Sequence, residues 1–301
     1  MTEPDGELER LVLRLRAAGC VFAEEEAALI LEQAALAGPE DRATELDRLA
    51  TAREEGLPLE QVLGWAELGG VRVALEPGVF VPRRRTELMV AVAASLAAAS
   101  LASASLGNAR STGPGDHRRV VLLDLCCGSG AVAAAVTHAL RTATQADVEV
   151  TAADVDPVAV RCARGNLPGA RVLQSDLFDA LPDDLRGRVD VLTANVPYVP
   201  TAALALMPRE AREHEPRLSL DGGADGLEVL RRVADGAAVW LAPGGTLLVE
   251  TSERQQPAAL AAMAHGGLAG SVRVDDDLGA VVVLGTRRAD DSSERPTRPR
   301  R

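Results

Sequence analysis

The sequence has no lysine, so all 32 of its basic residues are arginine. A phosphate-binding P-loop needs a lysine, and that class of nucleotide-binding protein is therefore excluded. Aromatic residues make up only 2% of the 301 residues, and the net charge is −12. Proteins that bind nucleic acid by base stacking need more rings, and an acidic chain repels a phosphate backbone. We therefore expect no direct nucleic-acid partner.

Cysteine is also scarce, with Cys20, Cys126, Cys127 and Cys162 forming no CxxC pair. Two of the four are sequence neighbours, which makes a poor disulfide framework. The four histidines lack the spacing of metal ligands, so we expect no metal site. The first ten residues are acidic where a secretory signal is basic. Together these features predict a cytoplasmic protein.

One uncharged run, 88–109, is long enough to cross a bilayer. It consists mostly of alanine and serine, which contribute little to membrane insertion compared with Leu, Ile, Phe and Val. We therefore expect a helix over 86–104 that packs within the protein, and no membrane segment.

The first third of the chain divides into three parts. Apolar residues at helical spacing predict a bundle of three or four helices over 1–62. Residues 1–60 hold 15 acidic residues against six arginines, which indicates a solvated surface or a docking face for a basic partner. Residues 63–104 add a hairpin around Gly69-Gly70 and a connecting helix. Small and polar residues over 105–118 indicate a linker.

Strands alternate with helices from 119 to 286. Predicted strands lie at 119–125, 148–153, 172–174, 190–194, 246–251, 272–274 and 280–284, and the main helices between them at 129–141, 157–166 and 225–241. This alternation is typical of an α/β fold with a largely parallel sheet covered on both faces. The arginine- and proline-containing tail, 287–301, is predicted to be disordered.

The first candidate motif joins the end of a buried strand to the start of a helix and reads Asp124-Leu-Cys-Cys-Gly128-Ser-Gly130. Its glycines let a ligand approach the backbone, and a helix N-terminus offers free N–H groups. The glycine pattern alone is a weak match to a dinucleotide fingerprint. An aspartate four residues before the first glycine resembles the loop of adenosylmethionine methyltransferases. Asp154 ends the next strand, where a carboxylate can accept hydrogen bonds from ribose hydroxyls.

The second motif is Asp176, just after the third strand. A carboxylate there can accept a hydrogen bond from the exocyclic amine of adenine, because this loop borders the crevice of an α/β sheet. The alternative is a helix cap, a common use of serine and aspartate.

The third motif, Asn195-Val-Pro-Tyr198, follows the fourth strand. An amide or arylamine nitrogen is a poor nucleophile because its lone pair is delocalised. Two acceptors that bind its N–H bonds orient it for methyl transfer, and the Asn195 side-chain oxygen and a neighbouring main-chain carbonyl are such a pair. Pro197 fixes the turn, and Tyr198 offers a flat wall. The alternative is an ordinary proline-containing loop.

These motifs together resemble the HemK/PrmC family of protein-(glutamine-N(5)) methyltransferases. Six segments carry the resemblance, in the family's order: 81–87, 124–130, 153–154, 174–176, 195–198 and 215–227. The resemblance implies a seven-stranded Rossmann-like class I methyltransferase sheet with a small N-terminal helical domain for substrate recognition. It further implies S-adenosylmethionine as cofactor and, as partner, a peptide chain release factor whose Gly-Gly-Gln glutamine is methylated. We expect the protein to be a monomer.

Carried over residue by residue, the resemblance also implies roles for individual side chains. The cofactor-binding set is Asp124, Cys126, Gly128, Ser129 and Gly130 in the loop, Asp154 at the ribose, Asp176 and Leu177 at the adenine, and Asn195. The substrate-binding set is Asn195, Val196, Pro197 and Tyr198, of which Asn195 and Tyr198 are the expected catalytic residues.

The sequence departs from the family's pattern in three places. Val196 stands where the family usually has proline, and Leu177 where it often has a large ring. The family segment Pro-Arg-Pro-Glu/Asp-Thr-Glu reads Pro-Arg-Arg-Arg-Thr-Glu over 82–87. The alternatives are therefore a divergent paralogue with another protein acceptor, a nucleic-acid amino-methyltransferase, a catalytically impaired cofactor-binding interaction module, or a nicotinamide dehydrogenase.

Overall fold

The structure, a computed structural model, describes residues 4–105, 119–144 and 146–289. The linker expected over 105–118 lies outside the described residues except for its first position, and so does the part of the expected tail from 290 onwards.

Four helices form a bundle at the start of the chain. They are α1 (Pro4–Ala17), α2 (Ala23–Ala35), α3 (Arg42–Glu54) and α4 (Leu59–Leu63). Their apolar faces meet around the fully buried side chains of Leu15, Ile30 and Leu49. This is the arrangement that amphipathic helices adopt when each buries one stripe.

Arg53 joins the bundle to the rest of the molecule. Its guanidinium is 7% exposed and donates to Glu26 within the bundle, with Nε 2.6 Å from Oε2. The same group donates to Glu210, which lies outside the bundle, with Nη1 2.6 Å from Oε1. A buried cation is stable only when paired in this way. The bundle is therefore fixed to the larger domain by a charged contact.

A hairpin and a long helix follow. Strands β1 (Trp65–Leu68) and β2 (Val71–Ala74) pair antiparallel, and both turn glycines have positive φ, which confirms the predicted hairpin. Helix α5 (Glu87–Ser105) is long and apolar enough to cross a membrane by length and composition alone. In this fold Met89, Ala93 and Ala97 of α5 are buried in the core beside the sheet.

The larger domain is built on a seven-stranded sheet, which confirms the expected α/β fold class. Its strands are β3 (Val120–Leu125), β4 (Val148–Asp154), β5 (Arg171–Gln174), β6 (Val189–Ala194), β7 (Leu241–Thr251), β8 (Ala269–Asp275) and β9 (Ala280–Thr286). Their order across the sheet is β5-β4-β3-β6-β7-β9-β8, and within it β9 runs in the direction opposite to the other six strands. The strand order reverses at β3, between β4 and β6, and such a point creates a crevice at the carboxyl ends of the strands.

Helices cover both faces of the sheet. The remaining helices are α6 (Ala131–Thr144), α7 (Pro157–Asn166), α8 (Arg209–His214), α9 (Glu228–Trp240) and α10 (Gln256–His265). Along β3, Leu122 packs with α5, α6 and α7, whereas Leu123 packs with α9 and α10 on the opposite face. This alternation follows from the two-residue period of a strand.

Replacing Arg53 tests the junction between the bundle and the larger domain. We expect Arg53→Met to lower the free energy of unfolding by about 3 kcal/mol, because it leaves Glu26 buried without its cation. Denaturant unfolding followed by circular dichroism measures this loss. Arg14→Met is the matched control: Arg14 also pairs with acidic side chains of α3, but it is 40% exposed, and we expect a change of about 0.5 kcal/mol or less. Equal losses in the two variants would contradict a special role for Arg53.

Candidate active site

A cleft crosses the carboxyl ends of β3, β4 and β6. Its walls include eight of the nine residues expected to bind a cofactor: Asp124, Cys126, Gly128, Ser129, Asp154, Asp176, Leu177 and Asn195. Pro197 lines the same cleft, whereas Gly130, Val196 and Tyr198 are not among the lining residues. The motifs that follow separate strands in the sequence are thus brought to one place, as the carboxyl edge of a parallel sheet requires.

The glycine loop turns sharply between β3 and α6. Cys126 and Gly128 both have positive φ, at 52° and 54°. Gly130 has φ 79°, and a Cβ there would lie 2.8 Å from the Leu167 side chain. Gly130 therefore permits close packing of the loop against the end of α7, rather than forming the wall of the cleft.

Asp154 holds the glycine loop from the neighbouring strand. Its Oδ2 accepts from the Gly128 N–H at 2.9 Å, and its Oδ1 accepts from the Asp156 N–H at 2.9 Å. Burial raises the pKa of this carboxyl, although both hydrogen bonds act in the opposite direction. Asp154 thus shapes the loop while its carboxylate lines the cleft.

Asp124 presents an unsatisfied carboxylate oxygen. Its Oδ1 accepts from the Thr193 hydroxyl at 2.7 Å, but its Oδ2 is buried with no partner among the described residues. Burial raises the pKa of Asp124 to about 7. An unpaired carboxylate oxygen in the wall of a cleft suits a ligand that carries a hydrogen-bond donor or a positive charge. Thr193, which the sequence did not single out, orients this carboxylate.

At the far end of the cleft, Asp176 has a partner that the sequence did not reveal. Its Oδ2 accepts from Nη2 of Arg232, on α9, at 2.9 Å, and both side chains are half exposed. Leu177 beside it is buried and has φ 51°, a conformation supported by the Ser175 hydroxyl, which donates to the Leu177 carbonyl at 2.9 Å. Arg232 also lines the cleft.

The 195–198 turn presents two of its four residues to the cleft. Asn195 and Pro197 line it, and no hydrogen bond engages the Asn195 side chain within the part of the chain that the structure describes. Val196 is buried, at 2% exposure. The Tyr198 ring is directed to the neighbouring strand, where its hydroxyl donates to Glu250 at 3.1 Å. Burial raises the pKa of Tyr198 above its usual range.

Two glycines of the 215–227 segment pack directly on this turn. A Cβ at Gly222 would lie 2.7 Å from the Pro197 carbonyl oxygen, and one at Gly226 would collide with the Tyr198 carbonyl oxygen. Gln255 also donates to that Tyr198 oxygen, at 2.9 Å. The glycines are therefore needed for close approach, and they fix the backbone of the turn from one side.

Two buried glutamates, to which the sequence analysis assigned no role, tie the 81–87 segment to this region. Glu250, on β7, accepts from Arg85 and Thr86 as well as from Tyr198. Glu215 accepts from Arg83, and burial raises the pKa of its carboxyl. An acidic residue within the apolar strand β7 was the available signal, because a buried carboxylate must find donors elsewhere in the chain.

The strand order, the single antiparallel strand and the glycine-lined cleft define a class I methyltransferase, whose methyl donor is S-adenosylmethionine. The acidic wall and the glycine turn fit that cationic cofactor. The chain is 32% identical over 243 residues to the release factor glutamine methyltransferase of Geobacter sulfurreducens, an alignment that covers 79% of this chain and 76% of that protein. The chain therefore belongs to the release factor glutamine methyltransferase family.

Other comparisons give further relatives. The release factor glutamine methyltransferase of Mycolicibacterium smegmatis is 33% identical over 238 residues, covering 77% of this chain and 75% of that protein. The 4-amino-L-phenylalanine/4-methylamino-L-phenylalanine methyltransferase of Streptomyces pristinaespiralis is 36% identical over 200 residues, covering 66% and 62%. No family model matches the chain. Among solved structures, a 16S rRNA N2 G1207 methyltransferase of T. Thermophilus has a TM-score of 0.46 and 19% identity, covering 74% of this chain and 50% of that one.

The raised pKa of Asp124 predicts a pH-dependent stability. Between the ordinary value of 3.8 and about 7, the folded protein keeps a proton that the unfolded chain has lost. The free energy of unfolding therefore falls as pH rises through this window, by at most about 1.4 kcal/mol per pH unit. Asp124→Asn keeps an acceptor for Thr193 and removes the titration. Denaturant unfolding is measured from pH 4 to 8 without cofactor. The free energy of unfolding of the variant should rise relative to that of the wild type as pH rises, and a constant difference between the two would contradict the raised pKa of Asp124.

Proposed function

We propose that this protein transfers the methyl group of S-adenosylmethionine to a glutamine side-chain amide nitrogen of a protein, and that the acceptor is a peptide chain release factor. The observation that carries the proposal is the single cleft shared by Asn195, Pro197 and the glycine loop. Membership of the family supports the release factor as the acceptor, because the relatives bear that name.

At the cofactor end, contacts of the chain support each proposed role. The cofactor would supply a methyl group on a positively charged sulfur. Asp124 would offer its unpartnered Oδ2 to the donors and positive charge of that molecule. Asp154 would accept from the ribose hydroxyls, and its hydrogen bond to Gly128 holds the glycine loop. Asp176 and Leu177, with Arg232 beside them, would border the adenine.

At the acceptor end, Asn195 is the residue on which transfer depends. Its side-chain amide has no hydrogen bond to any described residue and lines the cleft, so its oxygen is available to an acceptor N–H. The Val196 carbonyl is the second acceptor in this proposal. Two hydrogen bonds fix the planar amide and align its nitrogen, which makes orientation the main contribution to the rate. The Tyr198 hydroxyl donates to Glu250 and the residue does not line the cleft, so Tyr198 contributes by holding the end of the 195–198 turn rather than by proton transfer.

The bundle formed by 1–62 is proposed to recognise the protein acceptor. Arg53 links the bundle to Glu210 on α8. Helix α8 lies between α9 and the 195–198 turn, hereafter the acceptor turn. A protein acceptor, rather than nucleic acid, agrees with the net charge of −12. The four cysteines are free thiols, which agrees with a cytoplasmic location. A monomer without a membrane segment completes the proposal.

An arylamine of a small molecule is the second candidate acceptor. The relative from Streptomyces pristinaespiralis, 36% identical over 200 residues, is named for 4-amino-L-phenylalanine. An arylamine nitrogen is planar and poorly nucleophilic, as an amide nitrogen is, so the same pair of acceptors would orient it.

Mass spectrometry tests both candidates. The protein is incubated with S-adenosylmethionine and, in separate reactions, a release factor, 4-amino-L-phenylalanine, DNA and RNA. We expect one added methyl group on a glutamine of the release factor and no modification in the other reactions. Methylation of the arylamine instead would select the second candidate, and methylation of DNA or RNA would refute a protein acceptor.

Replacing Asn195 tests the proposed role of its amide. We expect Asn195→Ala to lower kcat at least about a hundredfold, because the acceptor loses an orienting hydrogen bond in the transition state. Cofactor affinity, measured by calorimetry, should change by less than about threefold, since Asp124 and Asp154 are untouched. Substantial turnover by this variant would contradict the assignment.

A further inference from the structure

Glu250 is a buried carboxylate with three side-chain donors. Its Oε1 accepts from the Tyr198 hydroxyl at 3.1 Å and from Nε of Arg85 at 3.0 Å. Its Oε2 accepts from the Thr86 hydroxyl at 2.8 Å. The residue is 1% exposed, so these contacts replace water as its hydrogen-bonding environment.

The three donors come from two segments that border the acceptor end of the cleft. Tyr198 ends the acceptor turn, whereas Arg85 and Thr86 belong to the segment that precedes α5. Thr86 itself lines the cleft, and the Arg85 guanidinium carbon lies 5.4 Å from the centre of the Tyr198 ring. Glu250 therefore joins two segments that are far apart in the chain, since Thr86 and Tyr198 are separated by 112 positions.

The sheet register places Glu250 near the proposed catalytic residue. Val249 pairs with Ala194, the last residue of β6, so Glu250 follows that pair on β7 and Asn195 follows it in the turn. The end of the turn is held at two points: Gln255 donates to the Tyr198 carbonyl oxygen, and the Tyr198 hydroxyl donates to Glu250. Glu250 thus fixes the side chain that ends the turn, and Gln255 fixes its backbone.

We propose that Glu250 is a positioning residue for methyl transfer, which acts by holding Tyr198 and Thr86 so that the turn presents Asn195 to the acceptor amide. This inference rests on the proposed function. Glu250 does not line the cleft and touches neither cofactor nor acceptor in this scheme. Its effect belongs to the acceptor side, so it alters kcat and leaves cofactor affinity unchanged.

A double-mutant cycle tests the proposal. Glu250→Gln and Tyr198→Phe each weaken or remove the same hydrogen bond, and we expect each to lower kcat about tenfold to a hundredfold. The double variant should be no slower than the slower single variant, because both act through one contact. Calorimetry should give cofactor dissociation constants within about threefold of the wild type. Independent, multiplicative effects on kcat would overturn the proposal, as would unchanged kcat in folded variants.

The control is on the same strand. Thr246 lies at the middle of β7, four residues before Glu250, is 3% exposed and shares a side-chain hydrogen bond of 3.0 Å with Thr286. Thr246→Val also removes a buried hydrogen bond from β7. We expect it to lower Tm while leaving kcat unchanged. If Thr246→Val lowers kcat as much as Glu250→Gln does, the role of Glu250 is structural only.

A spectroscopic readout separates this inference from the proposed function. Tyr198 is the only tyrosine of the chain, so alkaline absorbance titration reports one phenol. Burial raises the pKa of Tyr198 most, and the Glu250 carboxylate raises it further, so Glu250→Gln should shift the titration to lower pH. If the wild type methylates no tested acceptor, the proposed function fails, and this titration still decides whether Glu250 holds the ring. An unchanged titration would overturn the positioning role.

Discussion

Buried carboxylates that need hydrogen-bond donors hold this site together. Asp154 takes its donors from the glycine loop, Glu250 from the acceptor turn and the segment before α5, and Glu215 from Arg83. Burying a carboxylate without partners costs several kcal/mol, so each of these contacts fixes the distance between two strand ends or loops. Asp124 and Glu215 each keep one buried oxygen that has no partner among the described residues. Of these two residues Asp124 alone lines the ligand cleft, so its unpartnered oxygen marks where a ligand binds.

Most elements of the larger domain could be predicted from sequence, because their signals are local, but no helix was predicted over α8 or α10. A continuous apolar run predicted β3, and the residues Gly69-Gly70 predicted the hairpin. The placement of motifs at strand ends then followed from parallel topology, and it brought Asp124, Asp154 and Asn195 to one cleft. The side-chain contacts between distant segments could not be predicted. Arg232 approaches Asp176 across 56 positions, and Arg85 approaches Glu250 across 165, distances over which residue patterns carry no information.

The orientation of the Tyr198 ring also could not be predicted from the sequence. Its position in the turn suggested a flat wall for the acceptor, yet the ring points toward Glu250 and does not line the cleft. The departures from the family's pattern also acquire a structural context. Val196 is buried in the apolar core beneath the turn, and Arg85 supplies the cation that neutralises Glu250. Val196 therefore lies in the support of the acceptor turn, and the exposed Arg85 reaches that support through its ion pair with Glu250.

The ionic contact of Arg53 has a consequence for selectivity. Because this buried guanidinium pairs with Glu26 on one side and with Glu210 on the other, the helices at the start of the chain cannot shift freely relative to the acceptor turn. Any partner that docks on those helices must then reach the cleft across a constant distance. A residue of the partner would therefore be selected by its distance from the docking point as well as by its chemistry.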